Sequence, residues 1–237
     1  MVSYLVKFHL SVIVLSIFLV FTLLDLRAET IPNTLTLEKI LSEMDKRAKT
    51  LHALSSTLTQ KRWTDILEEF DHGEEGHFYF LRKNGEVYIR KDILKPQRNI
   101  LVIRKGEVFF YQPKIKQVQR YTLGDKSDRA EFLLLGFSSQ QESLNQAYKI
   151  SFLKMERLND RDTYLLELEP KSEEISAYFS KIVLWIDSSL WVPVQQKLVE
   201  PTRDFLLIQF GDIQLNPKIS RSDFDLKLPK DVRVLAP

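Results

Sequence analysis

Apolar residues along this chain recur at two periods, one after the other. Leu37, Ile40, Leu41, Met44, Ala48 and Leu51 fall on one face of a 3.6-residue repeat, which predicts an amphipathic helix. Thr34 or Thr36 can cap its start. Glu38 early, and Lys46, Arg47 and Lys49 late, complement the helix dipole. From Leu54 the period shortens towards two. Residues 54–63, 75–82, 86–93, 100–103, 108–111 and 116–122 then read as an antiparallel meander. Asn84-Gly85 and Lys105-Gly106 supply hairpin turns, because the favoured two-residue turns place their central residues at positive φ.

The alternation breaks at Leu123-Gly124-Asp125. Residues 125–147 carry helix formers and predict a helical excursion over the sheet, with 133–137 turned towards whatever lies beneath. Strands resume at 148–158, 163–169, 178–187, 191–200 and 205–215. Within them, 180–200 is the most legible stretch. Ile182 to Ile186 is an unbroken β-branched and aromatic run, as in a strand covered on both faces. Asp187-Ser188-Ser189 is turn chemistry, and Pro193, which cannot donate to a ladder, belongs at the start or edge of the returning arm. That arm mixes apolar and polar residues, which predicts one side in solvent. Phe224, Leu226 and Leu228, before Pro229, predict a terminal segment tucked against the sheet.

The sum is about eleven strands with two or three helices. So many antiparallel strands must curl, split or close, because a flat sheet leaves long unpaired edges. The predicted class is mainly β with an α component. A curled sheet of this width, its mouth covered by helices, would enclose an apolar cavity.

Composition narrows the function. The 237 residues are 44% hydrophobic and 28% charged, which allows one or two globular domains. With 34 basic and 32 acidic residues the net charge is +2, which argues against a general nucleic-acid binder. The absence of cysteine excludes disulfides, thiolate metal sites, a cysteine nucleophile and a lipid-anchored amino-terminal cysteine. Residues 1–28 resemble a secretory signal. Lys7 and His9 precede an almost continuous apolar run over 10–24, and Leu26-Arg27-Ala28 offers a cleavage site. A retained anchor is the alternative, but a span needs roughly 20 apolar residues. Residues 29–237 are then one exported domain, expected in a bacterial periplasm.

Candidate chemistry is sparse. His72 and His77 bracket Gly73-Glu74-Glu75-Gly76 without metal-ligand spacing, so a solvated loop is the simpler reading and no metal is expected. No G-x-S-x-G, H-E-x-x-H or phosphate-cradling loop occurs, and Glu68-Glu69 and Glu173-Glu174 read as turn sequence. No cofactor and no enzymatic activity are expected. Arg82 ends an aromatic strand. It can bond carbonyls across a cavity mouth or simply snorkel to the surface. Trp63, Phe78, Phe80, Phe109, Tyr111 and Trp185 can line a cavity or fill a core, and the pattern does not separate the two.

Several stretches together are similar to one family. Leu58-Thr59-Gln60-Lys61-Arg62 resembles an F-x-Q-x-R strand with Leu58 in place of Phe, and 76–82 resembles G-x-h-x-h-x-R. Lys95-Pro96, then Gly106 to Pro113 running into Lys116-Gln117-Val118, match further segments. Leu184-Trp185-Ile186-Asp187 with Pro193, then 212–216, Phe224 and Leu228-Pro229, complete the order. The chain resembles the LolA-type outer-membrane lipoprotein carrier family over nearly all of 29–237. Lys83-Asn84-Gly85 departs from the usual Arg-Pro continuation, and 126–137 is closer to divergent branches.

The resemblance implies a single unclosed antiparallel barrel with helices as a lid over an apolar cavity, and with it a monomeric soluble carrier of acylated lipoproteins or lipids, working between an inner-membrane donor complex and an outer-membrane acceptor. It implies an acyl cavity at Trp63, Phe78, Phe80, Tyr88, Ile103, Phe109, Tyr111, Leu133, Leu134, Phe137 and Trp185. It also implies Arg82 as a latch on lid carbonyls. A sensor or adaptor domain on the same scaffold is the alternative, and an envelope hydrolase the third.

Overall fold

Both residues of Asn84-Gly85, Lys105-Gly106 and Asn159-Asp160 adopt positive φ, and these turns fold successive strands back on one another. The computed structural model describes residues 36–122, 134–137 and 141–236, all within the unit Thr36–Pro237. It opens on α1 (Leu37–Thr50), where the Lys39 backbone N–H donates to Thr36 Oγ1 at 3.3 Å as the cap. Strands β1 (Ala53–Thr64), β2 (Glu69–Phe70), β3 (Glu74–Lys83), β4 (Glu86–Lys95), β5 (Asn99–Arg104), β6 (Glu107–Gln112) and β7 (Gln117–Thr122) follow. Then come α2 (Gln141–Ala147), β8 (Tyr148–Leu158), β9 (Arg161–Pro170), α3 (Glu173–Ser176), β10 (Lys181–Asp187), β11 (Pro193–Val199), β12 (Phe205–Leu215) and β13 (Arg233–Leu235).

These strands form one 13-stranded sheet in the order β13-β7-β6-β5-β4-β3-β1-β12-β11-β10-β9-β8, with β2 paired on β1. Among the described residues the ends, β13 and β8, do not pair, so the sheet is unclosed. The predicted strands are all present. The two short additions, β2 and β13, were not anticipated, and β13 pairs with β7 in parallel, unlike every other ladder. It covers an edge that would otherwise present open backbone groups.

Other differences are local. Residues 178–180 are not strand: α3, capped by Ser172, ends in a turn where Tyr178 N and Phe179 N donate to Ile175 O at 3.0 Å. Trp191 has positive φ, so the returning arm begins at Pro193 and not at 191. Its expected solvent side is only partly there, with Lys197 and Val199 half-buried. Gln195 and Gln196 are both buried, and Gln209 Nε2 donates to Gln195 Oε1 at 2.7 Å, which satisfies that polar atom without water. Of the helical excursion, α2 and 134–137 are seen; 123–133, 138–140 and the predicted signal lie outside the described residues.

Register assigns side chains to faces, because directly opposed residues share a face and neighbours along a strand alternate. Phe80 opposes Leu54 and Ile89, and Ile89 opposes Ile103. Leu58 opposes Phe210, and Gln196 opposes Ile208 and Leu184. This row shares its face with Arg82. On the other face, Leu81 opposes Ala53 and Tyr88, while Val102 opposes Phe109 and Ile100 opposes Tyr111. There Ala53, Leu81, Tyr88, Ile100, Val102, Tyr111 and Val118 pack with Phe224, joined by Phe109, Ile219, Leu226 and Val232. The terminal segment is thus a lining for the second face, as its apolar residues predicted. Leu228 itself is exposed. Gly76 sits at a bulge between β3 and β4, where a Cβ would lie 1.9 Å from Asp92 O, so only glycine permits that approach.

The β10–β11 turn is pinned by one carboxylate. Asp187 Oδ1 accepts from Ser189 N, Ser189 Oγ and Leu190 N at 2.8, 2.6 and 2.8 Å, and Oδ2 accepts from Arg161 Nη1 at 2.8 Å. Burial alone would raise its pKa, but the bonds from Ser189, Arg161 and Leu190 outweigh that and hold it below the ordinary value. A depressed carboxyl stabilises the fold fully above its unfolded pKa of about 3.9 and loses that contribution as pH falls through the lower folded value. Asp187→Ala is therefore expected to lower unfolding free energy by about 2 kcal/mol at neutral pH. The gap from the parent should narrow below about pH 4. Urea titrations at both pH values check this, and a gap that widens in acid would refute the assignment.

Candidate functional site

The face carrying Phe78, Phe80 and Ile89 lies beneath α1. Arg82 on that face lies 5.7 Å from the Phe80 ring centroid, and its Nη1 donates to Ala48 O in the last turn of α1 at 3.1 Å. Arg47 Nε, from the helix itself, donates to Leu190 O of the β10–β11 turn at 2.9 Å. Ile40, Leu41, Met44 and Ala48 are all buried, so the apolar stripe of the helix is used in packing. Gln141 N donates to Asp45 Oδ1 at 3.3 Å, joining α2 to α1.

The C-terminus of α1 is tied to the end of β12 by Asn216, whose φ of +54 marks a left-handed position. Its Nδ2 donates to Thr50 O at 3.1 Å, while Oδ1 accepts from His52 N and Ala53 N at 2.9 and 3.2 Å. One side chain thus satisfies groups left over at the helix end and at the start of β1. Reading of the sequence missed this role. The signal available was an asparagine just past a strand, a residue type that tolerates positive φ.

Segment 134–137 lies on the same face. Phe137 packs edge-on to Phe210 at 4.9 Å and lies 6.1 Å from Phe78, while Phe78 and Phe210 are 5.6 Å apart. Gly136, at φ +82, would place a Cβ 2.7 Å from Pro193 Cγ and 3.2 Å from Leu184 Cδ1, so the backbone there rests directly on β11 and β10. Gln196 Nε2 donates to Leu135 O at 2.8 Å. Phe78, Phe137 and Phe210 thus fill the space between segment 134–137 and the sheet.

Further along the face, Lys91 Nζ donates to Gln60 Oε1 and lies 3.7 Å from Glu74, which Gln60 Nε2 also reaches. Burial pushes the Lys91 ammonium below the ordinary lysine range, with Glu74 opposing the shift.

The residues expected to line one cavity divide between the two faces. Phe78, Phe80 and Ile103 share the helix-covered face, with Phe137 packed on it and Leu134 buried beside Phe137 in the chain. Tyr88, Phe109 and Tyr111 belong to the cluster around Phe224 on the other side of the sheet. Trp63 also lies on that side, stacked 5.8 Å from Phe205 and 5.1 Å from Phe70. Trp185 alternates with Leu184 and Ile186, opposes Gln195 and Leu165, and donates its Nε1–H to Glu156. Leu133 lies outside the described residues. Phe210, not anticipated, is central. A two-residue turn at Asn84-Gly85 already requires Leu81 to oppose Tyr88, which separates Tyr88 from Phe80, so that much was legible.

Among the described residues, no group of three or more candidate ligands is placed to hold a metal, and no helix is long and apolar enough to cross a membrane.

A family model described as outer membrane lipoprotein carrier protein LolA matches residues 50–227. An outer-membrane lipoprotein carrier protein of Methylococcus capsulatus is 28% identical over 146 residues, covering 62% of this chain and 66% of that protein. The chain thus spans about two thirds of that relative's length. A solved structure of an uncharacterized conserved protein from Thermus thermophilus aligns with a TM-score of 0.53 at 14% identity, covering 85% of this chain and all of that one. The crystal structure of MucB aligns with a TM-score of 0.51 at 14% identity, covering 80% and 62%. At these identities the two structures show a shared fold.

Asn216→Ala is expected to cost about 2 kcal/mol, from the backbone groups left without partners. It should also raise amide exchange at His52 and Ala53 more than in the central strands, as hydrogen-exchange mass spectrometry with fragment resolution would show. Uniform acceleration across the sheet would mean that Asn216 does not specifically hold the helix end.

Proposed function

We propose, from the premise that the chain belongs to the LolA family of outer membrane lipoprotein carriers, that it binds the acyl chains of a lipoprotein or lipid on the helix-covered face of its sheet. It carries them across the periplasm between membranes. Export through a cleaved signal at residues 1–28 is part of this reading. The observation that carries it is the bond from Arg82 Nη1 to Ala48 O. A single guanidinium on the apolar face grips the helix above it, so the cover is held by hydrogen bonds that can break without unfolding the sheet.

The energetics favour transfer without chemistry. Each CH₂ removed from water contributes about 0.8 kcal/mol, so one long acyl chain brings on the order of 10 kcal/mol from solvent. In the closed state Phe137 already covers part of the face. An entering chain therefore exchanges one apolar contact for another there, which leaves a net affinity low enough for hand-off. Donor and acceptor complexes would act on the cover and not on the sheet.

A second reading, an adaptor that docks a protein partner, has one observation in its favour. Ile66 and Leu67, 90% and 62% exposed at the turn between β1 and β2, are followed by Glu68 and Glu69. The aromatic trio Trp63, Phe70 and Phe205 supports this tip. It would suit a partner offering an apolar socket rimmed by cationic groups.

Native mass spectrometry of the protein purified from an envelope fraction without detergent separates the readings. Acylated cargo near one-to-one supports the carrier, whereas an apo mass with no uptake of an acyl probe favours the adaptor. Arg82→Leu is expected to leave the circular dichroism spectrum unchanged while a bound fluorescent acyl chain exchanges about tenfold faster, the factor one charged hydrogen bond commonly carries. Unchanged exchange would remove Arg82 from the closing mechanism.

A further inference from the structure

Two polar atoms on the helix-covered face have no hydrogen-bond partner among the described residues: Gln196 Oε1 and Ser56 Oγ. Both residues are buried, 0% and 5% exposed. Gln196 lies between Ile208 and Leu184 on the neighbouring strands, and Ser56 opposes Phe78. They flank the Phe78–Phe137–Phe210 cluster. An unpartnered polar atom in such surroundings opposes folding, and an apolar residue there would remove the penalty. A face that held only hydrocarbon would have no use for either.

Gln196 uses half of its carboxamide. Nε2 donates to Leu135 O, and Leu135 precedes the glycine whose backbone rests on Pro193. If 134–137 lifts to admit cargo, that N–H donor becomes free beside an acceptor that already has no partner. A group carrying both a carbonyl and a hydrogen-bond donor would satisfy both atoms. The backbone of Leu135 fills one half of that role in the closed state.

We propose that Gln196 forms a polar subsite within the apolar face, and that it reads a hydrogen-bond donor (an amide N–H or a hydroxyl) close to the head of an acyl chain, with Ser56 as a second polar station. A simple ester, which offers acceptors alone, leaves Oε1 unpaired. This rests on the carrier reading above and adds selectivity to it.

The probes are N-methylpalmitamide, methyl 3-hydroxypalmitate and methyl palmitate, three ligands of similar size that differ in the donor. Each is titrated against a fluorescent acyl probe bound to the intact protein. The ratio of amide to ester affinity is expected to fall about tenfold in Gln196→Met, the factor one hydrogen bond commonly carries. Using the ratio removes any general effect of losing the Leu135 contact. The hydroxy ester shows whether a hydroxyl serves in place of the amide.

A ratio unchanged in Gln196→Met, with all three ligands still displacing the probe, overturns the subsite and leaves the carrier standing. Failure of every ligand, together with failure of the acyl probe itself to bind, overturns the carrier reading instead. Should Gln196→Met not fold, the parent protein decides. Bound ¹⁵N-labelled N-methylpalmitamide must show cross-relaxation between its amide proton and the Gln196 side chain, and its absence refutes the assignment.

Discussion

Every feature of this molecule depends on the alternation of side chains across a wide sheet that is apolar on both faces. Phe78, Phe80, Leu81, Tyr88 and Ile89 are consecutive or nearly so, yet they serve two separate clusters. A sheet with two apolar faces needs two covers, and the chain supplies them from opposite ends. Helix α1, before the first strand, covers one. The segment from Ile219 to Val232, after the last long strand, lines the other.

The two covers are held differently. The terminal segment is sealed by Phe224, fully buried against Tyr88, and by the ladder between β13 and β7. It is part of the core in all but sequence position. The helix over the other face relies in addition on a few polar contacts that can exchange with water: Arg82 to Ala48 O, Arg47 to Leu190 O, and Asn216 at its C-terminus. Hydrogen bonds of this kind are directional and individually modest in net energy. They fix where the helix sits on the sheet.

Polar groups on that face of the sheet are of two kinds. Lys91, Gln60 and Glu74 form a network whose members partner one another, an arrangement that low dielectric makes costly to break. Gln196 and Ser56 are different, since an atom of each has no partner among the described residues. A sheet under selection for stability alone would place leucine or valine at such points. Under the proposed carrier function, a face that holds apolar chains and recognises what they are attached to has a reason to retain them.

Much of this was determined by the sequence itself. The helix, the long strands, the tight turns and the Asp187 hairpin follow from local chemistry: period, positive-φ residues, a proline without a donor and a carboxylate beside free backbone N–H groups. The shared ancestry is likewise written in the order of weak motifs. What only tertiary structure decided is which face each aromatic serves. Tyr88, Phe109 and Tyr111 look identical to Phe78 and Phe80 as apolar residues in strands, because a strand buried on both sides has lost the polar alternation that marks inside from outside. The same reason hid Gln196, which reads as a solvent-facing residue on a mixed strand until β10, β12 and segment 134–137 close around it. Burial depends on what arrives from elsewhere in the chain, and local pattern carries no record of it.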